Sequence, residues 1–568
     1  MTALLGMLCA LMGFSGCAHS LLTIDRPLAE ISAEVEQRPV PPVPIDEEAE
    51  ESVDSEHQTT EERSTIQQVE FLAESEVPPA PVAGELSLSV LDAVSLAARN
   101  NPRMRVLAFR PLEARTREDV ELAAFDPAFT AGAQWADAHQ QVSSAVQAQA
   151  GGVSQYNSTA IGPAAGLPNL AQVEKRFSSG TLARVGVASS YSENSPNGQF
   201  LVFNPAYQSA INAVVEQPLL RGFGSDANLA GIQIAQLGHQ QSLAEFQGEL
   251  DQTLLNVQRA YWDAWLAQQN VKTLESLVDQ AATTTRIEQK RLDLGQGSVV
   301  EAAQAKEHLE TLRVDLEQSR QRAQTASNRL KTLLGMAATD RRPLTLTDQP
   351  FDGEFEPILE DGLETAIRRR AEIRTQQLAI KQAQTDLSRR QNNARADVSA
   401  FAGYSLSGLD DGLGGSVDRL TSAEYGNWTM GVRFRHVLGR RAERAAVERA
   451  ELSLQRQMRG LAEIQQQIEQ QVREAYDGVT TAYHVLERQR ERGEAARVQF
   501  ETYAKLYDAG QLDLDRFVRA RTRLASALQE EHAAIAAYNI ALLNWNYAVG
   551  AITSEVAPAD GSPASASE

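Results

Sequence analysis

An internal duplication limits the fold more than any other feature. AYWDAW from Ala260 is answered by AYDGVTTAY from Ala475, LGQGSVVEAAQA around Gly295 by AGQLDLDRFVRA around Gly510, and LLG ending at Gly335 by AVG ending at Gly550. The positions differ by 475 minus 260, 510 minus 295 and 550 minus 335, each 215, so the two stretches align without a gap. A period of that length exceeds any solenoid repeat and implies two copies of one structural half. Both copies carry heptad seams. Leu243, Leu250, Val257, Ala264, Val271 and Val278 recur every seven residues, joined by Phe246, Ala260, Ala267, Leu274 and Ala281. The second copy has Leu454, Leu461, Ile468, Ala475 and Ala482 with Met458, Val472, Val479 and Leu486. Such seams specify left-handed supercoiled packing, with the alanines allowing close approach. A helix over 225–292 would be roughly 100 Å long, beyond the diameter of a globular domain.

Ahead of each seam the period changes from 3.5 to 2. In WTMGVRF, Trp428, Met430, Val432 and Phe434 fall on one face while Asn427, Thr429, Gly431, Arg433 and Arg435 fall on the other, as in a strand with one apolar and one wet side. Ala400, Ala402, Tyr404 and Leu406, then Phe129, Ala131, Ala133 and Trp135, and finally Ile211, Ala213 and Val215 repeat the pattern. The expected strands are about 127–139 and 207–217 in the first half, and 397–407 and 426–436 in the second. EQPLLRGFG (216–224) marks the change from strand to helix; proline offers no ladder donor and glycine permits a turn.

Bulk properties narrow the function. The chain has 568 residues and a net charge of -22, which disfavours nucleic acid as a partner. Aromatics are only 6%, as in long helices rather than thick cores. Both cysteines, Cys9 and Cys17, sit in the apolar N-terminus, leaving the body no disulfide framework. Residues 1–17 read as a signal peptide of an exported protein. Residues 18–83 read as a disordered tether, because proline clusters flank an acidic run without Lys or Arg. The first repeat then covers 84–336, a linker 337–357, the second repeat 358–552 and a disordered tail 553–568.

Strands with one lipid-compatible face fit an outer-membrane barrel, which must close to satisfy its backbone. Four strands per chain cannot close alone, since such barrels start at about eight strands, so several chains must pool theirs. A soluble β-sandwich carrying coiled coils has the same alternation and stays open on this pattern alone.

The order of motifs resembles the TolC-type outer-membrane efflux protein family over about 86–552. The carriers are AARNNP ending at Pro102, EQPLLRGFG, the Ala-Tyr pairs of Tyr261 and Tyr476, the LGQGS and AGQLDLD breaks, and the closing LLG and AVG. The resemblance implies a mainly α protein with a membrane β-barrel portion: a homotrimer whose duplicated halves form a twelve-stranded barrel continuous with a periplasmic α-helical coiled-coil tunnel. It implies a passive exit duct of a tripartite efflux pump or type I secretion system, embedded in outer-membrane lipid and partnered by a periplasmic adaptor and an inner-membrane transporter. It implies no cofactor and no enzymatic activity. An exported coiled-coil spacer without a conducting lumen is the alternative. Phe14-Ser15-Gly16-Cys17 resembles a lipobox, making Cys17 the lipid-attachment residue.

Carried over by position, Gln217, Pro218 and Gly222 mark the barrel–tunnel junction, matched in the second half by Leu438 and Gly439, with Val437 in place of the proline. Gly295, Gln296 and Glu301, with Gly510, Gln511, Asp513, Asp515 and Arg516, mark the periplasmic tip used for gating and adaptor contact. Arg516 stands where the family often has an acid, so a mixed-charge constriction pairing Glu301 with Arg516 is expected. Arg433 and Arg435, if lumen-facing, would favour anions. The first half carries about 50 extra residues, mostly in 140–206, read as an enlarged external loop with a strand candidate TLARVGVASSY of unknown pairing. GLGGS at Gly412 reads as a hairpin loop. No metal-ligand spacing, phosphate loop or nucleophile elbow appears in the sequence.

Overall fold

A computed structural model of the chain describes residues 84–141, 155–195, 202–337 and 339–552. Cys17, the 18–83 segment and the 553–568 tail lie outside the described residues.

Four long helices dominate: α3 (Ser225–Asp293), α4 (Val299–Leu333), α8 (Arg441–Asp508) and α9 (Leu514–Ala548). Their seams are the core. Leu243, Leu250, Val257 and Ala264 on α3, and Ile468, Val472, Val479 and Leu486 on α8, are buried. Shorter helices α1 (Val90–Asn100), α2 (Pro102–Leu122), α5 (Leu359–Arg369) and α6 (Ala371–Asn393) pack against α3 and α8. A parallel pair, β1 (Leu86–Leu88) with β8 (Leu344–Leu346), closes over Tyr261, whose hydroxyl donates to Leu88 O (3.1 Å) and accepts from Asp348 N (3.1 Å).

The helix ends explain the duplicated glycines. After α3 the Gly295 N–H bonds Leu292 O (2.9 Å) and the Gln296 N–H bonds Arg291 O (2.8 Å); after α8, Gly510 and Gln511 repeat this with Tyr507 and Leu506 (both 2.9 Å). Both are Schellman caps, which need the left-handed backbone seen at Gly295 (φ 68°) and Gly510 (φ 70°). The breaks at the helical tip are therefore stops written by local chemistry.

The remaining strands form one antiparallel sheet. It comprises β2 (Ala128–Ala131), β3 (Ala133–Gln141), β4 (Gln155–Pro163), β5 (Ala171–Arg176), β6 (Leu182–Ser195), β7 (Ala206–Pro218), β9 (Asp397–Asp410) and β10 (Gly426–Arg435). β2 and β3 are one lane interrupted at Gly132, and β4 and β5 one lane interrupted at 164–170, because Ala131 pairs Ala171 while Ala133 pairs Pro163. The sheet thus has six lanes, in the order β10, β9, β7, β6, β4/β5, β3/β2. This corrects the expectation of four strands per chain and of an external loop between the first two. β6 pairs β7 from Leu182↔Glu216 to Ser192↔Ala206, so the inserted segment separates β3 from β7. The β9–β10 connection is also not a plain loop. It folds as a short helix, α7 (Leu413–Thr421), whose buried Ser416 lies against Gly408 and hydrogen-bonds the Ser209 hydroxyl (2.8 Å).

Candidate functional site

The chain pairs an unusual sheet face with an unusual helical tip. Pairing registers align Trp428, Tyr404, Ala213, Val185, Val173 and Phe129 in one row across all six lanes. Ile211, Val187 and Ala171 lie in the next row, while Met430, Ala402 and Val215 lie in the row on the other side. This face is exposed: Trp135 77%, Trp428 71%, Met430 70%, Val432 67% and Phe434 68%. An apolar surface of that extent, covered among the described residues only towards one end, where α7 packs over Gly408 and Ser209, marks contact with lipid or a partner. Trp428 to Phe434 spans about 20 Å at the strand rise, close to the apolar band of a membrane barrel.

The opposite face is polar and charge-balanced. Arg433 pairs with Glu216 (3.0 Å), which also accepts from the Ser399 hydroxyl (2.7 Å); Arg435 pairs with Asp397 (3.2 Å) and Arg184 with Glu174 (2.6 Å). The anion preference expected of Arg433 and Arg435 is therefore not supported, because each faces a carboxylate one or two lanes away.

Between sheet and helices, β7 ends at Pro218, and Leu219 N and Arg221 N still bond Val398 O and Ala396 O. Gln217 accepts from the Thr181 hydroxyl and donates to Pro218 O (2.9 Å). Gly222 (φ 77°) turns the chain, its N–H held by Asn392 Oδ1 (2.8 Å), and Asn228 on α3 donates to Gly222 O and Gly224 O (both 2.8 Å). The second crossing turns through Gly439 (φ 93°), the counterpart of Gly224 (φ 94°), and then through Arg440 (φ 48°) rather than a second glycine, with Leu438 91% exposed. The two crossings thus differ, as the missing proline suggests.

At the other end of the helices, the tip residues named from sequence serve first as caps. Glu301 closes a capping box on Ser298, Asp513 accepts from the Arg516 N–H (2.8 Å), and Asp515 pairs with Arg519. Glu301 and Arg516 do not meet within the chain; Arg516 pairs with Asp513 (3.5 Å), its neighbour one helical turn back. Just inside the caps lies a buried polar cluster that sequence reasoning missed. Glu288 on α3 is 2% exposed, accepts from the Tyr507 hydroxyl on α8 and pairs with Arg291 (2.8 Å). Arg521 on α9 is 3% exposed, donates to the Thr284 hydroxyl on α3 (2.8 Å) and stacks over Phe517. Its Nε and Nη1 have no partner among the described residues, and burial pushes its pKa down to about 10. Burial, reinforced by the Arg521 charge, likewise lowers the His308 pKa; burial and the bond to Glu288 raise that of Tyr507. These contacts tie the α3/α4 pair to the α8/α9 pair. The signal was present: Glu288 follows Ala281 by seven residues and so puts a carboxylate in the apolar seam.

Comparisons with known proteins agree with this geometry. Residues 182–336 match the family model described as outer membrane efflux protein. The fold is similar to that of the outer-membrane channel OprN (16% identity, TM-score 0.60, covering 81% of this chain and 90% of that one). It is also similar to the CmeC outer membrane channel of Campylobacter jejuni (14%, 0.57, 84% and 94%) and to the open state of the MtrE outer membrane channel of Neisseria gonorrhoeae (16%, 0.56, 84% and 97%). No curated protein matches the sequence. The resemblance to TolC-type efflux proteins read from the motifs is borne out, and at these identities the structural likeness is one of fold.

Proposed function

We propose that the chain is the outer-membrane component of an efflux or type I secretion apparatus, a homotrimer that forms a passive duct and works with a periplasmic adaptor and an inner-membrane transporter. The observation that carries this is the exposed apolar sheet face, open at both edges among the described residues, mounted on helices about 100 Å long. A sheet with two free edges is intolerable in hydrocarbon, where every backbone group needs a partner. Joining the β10 edge of one copy to the β3/β2 edge of the next removes all edges once the ring closes. The polar faces then line a water-filled lumen, and the twelve long helices of three copies continue it into the periplasm. Lipidation of Cys17, as the N-terminus left when the leader is removed, adds a second membrane attachment.

In this reading the tip is the gate. The Glu288–Tyr507 bond holds the two coiled-coil pairs together, while the desolvated guanidinium of Arg521, only partly compensated by its bond to Thr284, on balance opposes closure, because burying a charge without a carboxylate is costly. Adaptor contact around Gly295, Gln296, Glu301, Gly510, Gln511, Asp513, Asp515 and Arg516 shifts a balance that is already fine. Charge selection along the way is weak, since Arg184, Arg433 and Arg435 are each paired with a carboxylate.

Fractionation of cells expressing the full chain, followed by unheated and heated electrophoresis, tests the reading. An outer-membrane trimer that dissociates on heating, and that conducts in planar bilayers, is expected. A soluble species without conductance would instead favour an exported coiled-coil spacer.

A further inference from the structure

We propose that the inserted strands β4, β5 and β6 are part of the membrane wall, so that three copies close a barrel of eighteen lanes rather than twelve, with a lumen about half again as wide, since barrel diameter grows roughly linearly with strand number. This rests on the reading of the chain as a trimeric duct. It names what the insertion does to that duct: it admits larger hydrated solutes through the membrane section.

Three observations carry it. The apolar face extends into the inserted lanes, where Val173 (46% exposed), Val185 (55%) and Val187 (50%) lie in the rows of Trp428 and Ile211, and Ile161 (46%) lies in the row of Trp135, beyond a row that holds Ser189 and Ser209. Water would penalise that row on an external loop, whereas lipid favours it. Second, β6 occupies the whole β7 edge that β3 would otherwise use, and the two added lanes are antiparallel, so β7 keeps the direction it needs to enter α3. Third, the inner face of the insertion is built for the lumen. The 164–170 excursion folds over the polar side, where Asn169 (2% exposed) donates to Gln172 Oε1 (3.1 Å) and accepts from Asn212 Nδ2 (2.6 Å). Gly186 makes room for it, as a Cβ there would lie 2.5 Å from Asn169 Nδ2. A polar loop tied across lanes on the inner side is the expected furnishing of a wide channel and serves no purpose in a loop held in water.

The test is polymer exclusion. Single-channel currents of the full chain are recorded in planar bilayers with polyethylene glycols of increasing size added on the barrel side. The same series is run on a variant lacking residues 144–203, in which β3 and β7 remain antiparallel with odd-numbered residues outward. The full chain should admit polymers of about 1.5-fold larger radius than the variant. Equal cut-offs in two conducting proteins would overturn the proposal and leave the duct intact. Should the variant fail to insert, electron cryomicroscopy of the full-length trimer decides: eighteen wall strands support the proposal and twelve overturn it. A protein that neither inserts nor conducts would overturn both this inference and the duct itself.

Discussion

The two halves of the chain match in the helices and diverge in the sheet. α3 and α8 are 69 and 68 residues long, and α4 and α9 are both 35. In the sheet the first half supplies four lanes and the second only two, β9 and β10. The difference reflects how each kind of packing tolerates insertion. A coiled-coil seam repeats its knob-into-hole contacts every seven residues, so added residues throw the rest of the helix out of register. An antiparallel sheet accepts a hairpin at any turn, because two extra lanes restore both strand direction and face parity. The helical part therefore keeps its duplication, while the sheet has been free to grow.

The halves also differ in how they hold their connecting segments, and the largest expected effect tests this. Tyr261 is fully buried and clamps Leu88 and Asp348, whereas its duplicate Tyr476 is only partly buried; the corresponding clamp in the second half is Tyr538, which donates to Gly353 O (2.9 Å). Tyr261→Ala should cost about 3–5 kcal/mol, as large-to-small core changes do. Tyr476→Ala should cost clearly less, read from thermal unfolding followed by helical circular dichroism. Equal losses would restore the symmetry denied here.

The next effect concerns the sheet. Arginine at Val187 in an inserted lane should destabilise the trimer by about 2–4 kcal/mol, as should arginine at Val432, if both meet lipid near mid-depth. Urea titration of the trimer–monomer transition measures it. A penalty at Val432→Arg alone would mean that the inserted lanes stand outside the bilayer.

Smaller effects are expected at the tip, where the halves are joined. Tyr507→Phe strips a buried bond from Glu288 and should loosen closure by about 1–3 kcal/mol, raising the open fraction of single channels. Arg521→Met removes a desolvated charge of similar volume and should leave the gate as closed or more so. The same phenotype from both would show that Arg521 acts as a latch rather than as a destabilising charge.

The smallest effect is pH dependence. His308 on α4 has a pKa lowered by burial and by Arg521, with Glu307 and Asp315 acting in the opposite direction, so the closed tip favours its neutral form. The opened state regains a pKa of about 6.5 and takes up a proton first, so the stability of the closed tip falls as pH drops through about 6.5. Hydrogen exchange of tip amides between pH 7.5 and 5.5 should show this loss, and His308→Gln should flatten it.

What the sequence disclosed follows the same division. The seams were legible because each contact is repeated at short range, and Trp428 to Phe434 because a strand exposed on one side alternates cleanly. β4 was not legible: Ile161 is the only large apolar residue on its outer face, which it shares with Asn157, Thr159 and Pro163. β6 could be recognised in TLARVGVASSY, but pairing is a long-range property that the strand itself does not encode. The tip was half legible. Its glycines and acids stood out as landmarks and serve as caps, while the bonds between coiled coils lie at Thr284, Glu288, Tyr507 and Arg521, where a polar residue interrupts an apolar stripe.

The central claim, that the apolar sheet face meets hydrocarbon, has a direct measurement in the tryptophans. Of the five, Trp135 and Trp428 lie exposed on that face, whereas Trp262, Trp265 and Trp545 are buried among the helices. Fluorescence of the reconstituted protein with only Trp135 or only Trp428 retained should be strongly quenched by phospholipids brominated on their acyl chains and little by aqueous iodide. Quenching by iodide but not by brominated chains would contradict the account.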